Sequence, residues 1–156
     1  MILVFPVCGS GERFGAAGYA DWKPLIPIRG KPMLQWAAER VGSLVPDEVL
    51  IAHPAMVASD VPKRLGALLI AAFPRTANRT LAVATPTAGA AETVRIAAAT
   101  AVKYPAGLDQ PFVVVDCDDT HVPIPAAAIR PGEAGVATFA VDPIDHAPLS
   151  RWGYVT

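Results

Sequence analysis

An unbroken apolar run, Ile2-Leu3-Val4-Phe5-Pro6-Val7, leads directly into Cys8-Gly9-Ser10-Gly11. A run this short, closed by a glycine turn, is a strand with both faces covered. Strands of that kind belong to parallel sheets flanked by helices, which constrains the fold more than any bulk property does. Residues 48–52, 80–84 and 111–115 read as further strands, with 136–141 and 152–155 as later candidates. Between them, Met33, Leu34, Ala37, Ala38 and Val41 recur at helical spacing behind Pro32, placed as a first helical residue. The spacing predicts a second helix over 61–73, with Pro62 in its first turn and Pro74 closing it. An alanine-rich helix is expected over 90–103, opening after Gly89. Strands alternating with helices imply right-handed βαβ units in one α/β domain, 1–156, built on a mainly parallel sheet.

Composition narrows the function classes. Thirteen basic residues stand against 14 acidic ones, so no basic excess exists to drive general nucleic-acid or membrane-surface binding. No stretch reaches the roughly 18 apolar residues that span a bilayer. The apolar N-terminus has no basic region before it, so a buried first strand is the expectation over a signal peptide. The two cysteines, Cys8 and Cys117, form no CxxC pair, which favours a reducing, cytoplasmic setting over a disulfide framework or structural zinc.

Ligands of such sheets bind beyond the carboxyl ends of the strands, where two polar constellations fall. The first is the loop Cys8-Gly-Ser-Gly-Glu-Arg-Phe-Gly15 with Lys23 after it. Glycines let backbone N–H groups approach an anion, Arg13 offers a planar fork for phosphate oxygens, and Lys23 adds a point charge. The spacing is neither a dinucleotide fingerprint nor a P-loop, and an ordinary glycine turn is the plain alternative. The second is Asp116-Cys117-Asp118-Asp119, a set of carboxylates suited to Mg²⁺ beside phosphates, or else a strand-end turn. A third stretch, residues 85–93, reads as a strand-to-helix loop with Thr87 as a cap and Glu92 in the first turn, or as a surface for a flat base at Gly89. His53, His121 and His146 show no metal spacing, and Ser10 lacks the offsets of a nucleophile elbow.

Together these segments are more specific than any one of them. Phe5 to Gly15, then Trp22-Lys-Pro-Leu-Ile-Pro-Ile28 and Gly30-Lys-Pro-Met-Leu34, resemble the N-terminal signature of sugar-phosphate nucleotidyltransferases, the NDP-sugar pyrophosphorylases. Thr87-Ala-Gly-Ala-Ala-Glu-Thr93 is similar to that family's nucleobase-side loop, and Val113-Val-Val-Asp-Cys-Asp118 to its metal-bearing strand. Arg151-Trp-Gly-Tyr-Val155 is similar to the start of its sugar-side strand. Cys8 departs from the pattern, standing where a glycine is usual.

The resemblance implies a Rossmann-like fold of the GT-A type, represented by its N-terminal portion. It implies transfer of a nucleoside monophosphate from a nucleoside triphosphate to a sugar 1-phosphate or similar phosphorylated molecule, with Mg²⁺ and release of pyrophosphate. Gly9, Ser10 and Gly11 would then surround the phosphates, Arg13 the pyrophosphate, and Lys23 the α-phosphorus. Thr87 and Gly89 would face the base, and Asp118, with Asp116 beside it, would hold the metal. No nucleic-acid or membrane partner is expected, and self-association stays open. Two competing readings remain: a GT-A glycosyltransferase using Asp116-Cys-Asp118 on a nucleotide sugar, and a nucleotide-binding module without catalysis.

Overall fold

In the computed structural model, which describes residues 1–84, 87–101 and 111–118, the opening apolar run forms β1 (Ile2–Pro6). A short helix α1 (Glu12–Ala16) and a 3-10 turn over Lys23–Leu25 follow. Then come a hairpin of β2 (Pro27–Ile28) and β3 (Lys31–Pro32), α2 (Met33–Arg40) and β4 (Glu48–Pro54). The remaining elements are α3 (Val61–Ala72), β5 (Ala77–Val83), α4 (Ala90–Ala101) and β6 (Phe112–Val114). No helix among the described residues is long and apolar enough to cross a membrane.

The four longer strands pair in parallel in the order β5-β4-β1-β6, with Val4 opposite both Leu50 and Val114. Period-two alternation divides β1 between two cores. Leu3 and Phe5 pack with Val49 and Ile51 against Leu34, Ala37 and Val41 of α2 and its end, and Leu65 and Leu69 of α3. Ile2 and Val4 face the other way, with Leu50, Ala52 and Val83, under Ala97 of α4. The chain runs outward from β1 through β4 to β5, then returns to place β6 on β1's other side. The strand order therefore reverses between β1 and β6, and a crevice opens beyond their carboxyl ends.

Several elements differ from the expectations. The stretch expected as a loop from Cys8 to Trp22 contains α1, because Gly11 takes a left-handed turn (φ 69°) that starts the helix. Pro32 is the N-cap of α2 instead of its first residue. β5 begins at Ala77, three residues before the expected strand, because Asn78 and Arg79 also pair with β4. Within the described residues β6 lies at the sheet edge, and Val114 is half exposed where a buried strand was expected. Asp119, His121, His146, the strands expected over 136–141 and 152–155, and the end of the alanine-rich helix at Lys103 lie outside the described residues, as do Thr85, Pro86 and Arg151.

The hairpin was not anticipated. Arg29 and Gly30 both have positive φ, 50° and 81°, the twist that joins two short antiparallel strands. Trp36 Nε1 donates to the Ile28 carbonyl at 2.8 Å and fastens the hairpin to α2. A methyl group on Gly30 would meet nothing within 4 Å, so substitution there tests backbone alone. Gly30→Ala is expected to lower stability by about 1 kcal/mol in urea denaturation. An unchanged midpoint would show that the turn is not held at positive φ.

Candidate functional site

At the switch point, a cleft of about 210 Å³ is bounded by the ends of β1 and β6, the 3-10 turn and the start of α4. Each wall follows from local sequence. β1 ends at Val7, whose N–H still reaches Ala52, and the chain then turns away through Gly9. β6 ends when Val115 N–H bonds Val4, after which Asp116, Cys117 and Asp118 turn across the strand end. The 3-10 turn is anchored by buried Pro24 and Leu25, which leaves Lys23 beside the cleft.

The charged wall is formed by Lys23, Asp116 and Asp118. Lys23 Nζ lies 2.6 Å from Asp118 Oδ2, with Lys23 one-quarter and Asp118 less than half exposed. The same ammonium sits 5.6 Å from the centroid of the Phe14 ring, which guides the lysine stem toward the carboxylate. Gly11 lies under that stem: a Cβ on it would stand 3.4 Å from Lys23 Cβ, and its φ favours glycine independently. Between the two carboxylates, Cys117 is buried, and that burial pushes its thiol up to about 12 against the opposing pull of Lys23. At neutral pH it is therefore an uncharged thiol, a packing residue between two acids.

The opposite wall is neutral and hydroxyl-bearing. Thr87, Gly89, Ala90 and Thr93 line it. Thr87 does not cap α4 as expected. Its hydroxyl instead lies 2.8 Å from that of Thr93, while Glu92 Oε2 accepts the Ala88 N–H at 2.6 Å. A carboxylate thus already occupies the positive end of α4, which leaves that end less able to receive a phosphate.

The cleft therefore brings together Gly9, Lys23, Thr87, Gly89, Asp116 and Asp118 from the sequence-derived set. Gly11 supports Lys23 from behind the lining. Ser10 instead lines an adjoining cleft of about 410 Å³ with Trp22, Met56 and Arg64. Arg13 is exposed on α1 and does not line either cleft. Among the described residues no group of three or more His, Cys, Asp and Glu side chains converges to hold a metal by itself. Thr93 was missed as a site residue. The only sequence signal for it is its place four residues after Gly89, which puts it one helical turn inside α4 on the same face.

No family model matches the chain, and no curated protein matches it. Among solved structures, it is similar to a nucleoside-diphosphate-sugar pyrophosphorylase from Vibrio cholerae RC9, with 20% identity and a TM-score of 0.65. That match covers 81% of this chain and 52% of the other. It is also similar to a UDP-glucose pyrophosphorylase complexed with UDP-glucose, at 17% identity and a TM-score of 0.54, over 75% of this chain and 45% of that one. The chain has the α/β fold of these structures and spans about half their length.

Proposed function

We propose that this chain is a nucleotidyltransferase domain, or the nucleotide-binding portion of one, acting on a nucleoside triphosphate and a sugar 1-phosphate. The observation that carries this reading is the Lys23–Asp118 pair beside Asp116, in a cleft at the β1–β6 switch point. A lysine, two carboxylates and a glycine loop around one crevice suit a polyanionic ligand whose charge must be matched at several points. The shared fold supports the class of chemistry without naming the sugar or the base.

In this reading Gly9, Ser10 and Gly11 present backbone to the phosphates, and Arg13 on α1 engages the pyrophosphate end. Lys23 moves its positive charge from Asp118 to the oxygens around the α-phosphorus. An oxygen of the sugar phosphate attacks that phosphorus while its bond to the bridging oxygen breaks, and pyrophosphate leaves with the electron pair. No covalent enzyme intermediate is required, because positioning and charge stabilisation lower the barrier. Two carboxylates fit the habit of Mg²⁺ of taking one or two carboxylates, with waters and substrate phosphates completing the site. Bound there, Mg²⁺ would neutralise charge building on the phosphates, with Asp118 and Asp116 as its protein ligands.

The pair Asp116 and Asp118 on one cleft wall also fits a glycosyltransferase that takes a nucleotide sugar. Lys23 against the phosphates favours the first reading. The two separate in one assay: the full chain with four nucleoside triphosphates, Mg²⁺ and a panel of sugar 1-phosphates should release pyrophosphate. Absence of pyrophosphate with every pair, together with transfer from a nucleotide sugar to an acceptor, would establish the second reading instead. The partners proposed are these small molecules, in the cytoplasm, with neither nucleic acid nor membrane required.

A further inference from the structure

Helix α1 is held in place by something other than the core. None of its five residues is buried, and a helix this short is marginal by itself. Its backbone bonds stay local: Phe14 and Gly15 donate to the Gly11 carbonyl, Ala17 to Arg13 and Phe14, and Tyr19 to Phe14. Phe14 ties this segment to the cleft. Its ring meets the Tyr19 ring edge-on, with centroids 5.9 Å apart and planes at 64°, and the Lys23 ammonium lies over it, 5.6 Å from the centroid. An aromatic pair of that geometry is attractive beyond its buried area, so Tyr19 steadies the ring that faces the lysine.

Lys23 is thus held by two attractions of different kinds. Asp118 Oδ2, at 2.6 Å, attracts it as a counterion, whereas the Phe14 ring attracts it through its quadrupole. In the proposed function Asp118 exchanges that ion pair for the metal. A phenyl ring ligates no metal and repels no phosphate as a carboxylate would, so its hold on the ammonium survives the exchange. We infer that Phe14 is a positioning residue that keeps the Lys23 ammonium at the cleft when Asp118 gives up its ion pair. The catalytic consequence rests on the nucleotidyl-transfer reading, while the contact between ring and lysine is measurable without substrate. The inference gives α1 a task beyond presenting Arg13: it carries an aromatic platform for the lysine that follows it.

NMR of the full chain, with lysine isotopically labelled at Cε, tests this. Protons above an aromatic face are shifted upfield. Lys31, whose ammonium lies 4.5 Å from the Trp36 ring centroid, supplies an internal reference for that effect and for an intact fold. The Lys23 ε-protons, assigned by their loss in Lys23→Arg, should be shifted upfield in the unaltered chain. Asp118→Asn, which removes the counterion, should leave that shift in place. Phe14→Leu should abolish it and Phe14→Tyr preserve it, with the Lys31 signal unchanged in both. In the pyrophosphate assay Phe14→Leu should lower kcat by about 2–5-fold, the strength of a cation–π contact at an exposed site, with KM for the triphosphate little changed. Phe14→Tyr should restore the rate, which a space-filling role, met equally by leucine, would not require. A Lys23 signal at the position of a free lysine, in the unaltered chain or in Asp118→Asn, overturns the inference, and so does an unchanged kcat in Phe14→Leu. Absence of pyrophosphate release from the unaltered chain overturns the nucleotidyl-transfer reading itself, and the catalytic role of Phe14 with it, whatever the Lys23 signal shows.

Discussion

Lys23→Ala is expected to cut kcat for pyrophosphate release by about 10²–10³-fold, the usual cost of removing one preorganised group from developing charge. The loss should fall on kcat more than on KM, because Lys23 is engaged by Asp118 at 2.6 Å and, in the proposed function, gains most when the phosphorus is attacked. Folding should be nearly unaffected. The pair is partly open to solvent, and such ion pairs contribute about 0–1 kcal/mol. The same substitution should have an opposite effect on the metal. Removing an ammonium from contact with Asp118 frees that carboxylate, so Mn²⁺ alone should bind several-fold more tightly by calorimetry. Rate loss with tighter metal binding separates a charge-stabilising role from general damage to the site. An unchanged kcat would remove Lys23 from the chemistry.

How far such a site can be read from sequence depends on which residues carry local signals. β1 was legible because an apolar run closed by glycine has few other outcomes, and its two-core alternation follows from its burial on both faces. Asp116 and Asp118 were legible by their place after a strand, and Lys23 by its place shortly after the glycine loop. The Arg29-Gly30 turn was hidden because arginine rarely takes positive φ and Pro27 and Pro32 argue against strands on either side. Helix α1 was hidden because its signal is the left-handed backbone of Gly11, which a glycine allows but does not announce. Thr93 escaped for a different reason: its part in the cluster depends on its hydroxyl meeting the Thr87 hydroxyl and the Gly89 carbonyl in space. Arg13 is the converse, a residue with a strong sequence argument that is exposed and does not line the cleft. Its assignment rests on the proposed pyrophosphate end and not on contact.

The largest effect on metal dependence is expected from Asp118→Asn. It removes the carboxylate that pairs with Lys23 and, in the proposed function, holds Mg²⁺, so turnover supported by the metal should fall by at least about 10²-fold. An amide cannot neutralise an ammonium, so Lys23 becomes available to a triphosphate without first leaving a counterion. Triphosphate binding measured in excess chelator should therefore tighten several-fold in Asp118→Asn, although metal-supported turnover falls. The gain must come from Lys23, which gives a strict test by double-mutant cycle. In a Lys23→Ala background, Asp118→Asn should still remove like-charge repulsion from the phosphates, but the part due to the freed ammonium should disappear. The two substitutions should thus be strongly non-additive for metal-free triphosphate binding. Additive effects would mean that Lys23 and Asp118 do not compete for the same ligand, and the ion pair would then be a surface contact with no part in binding.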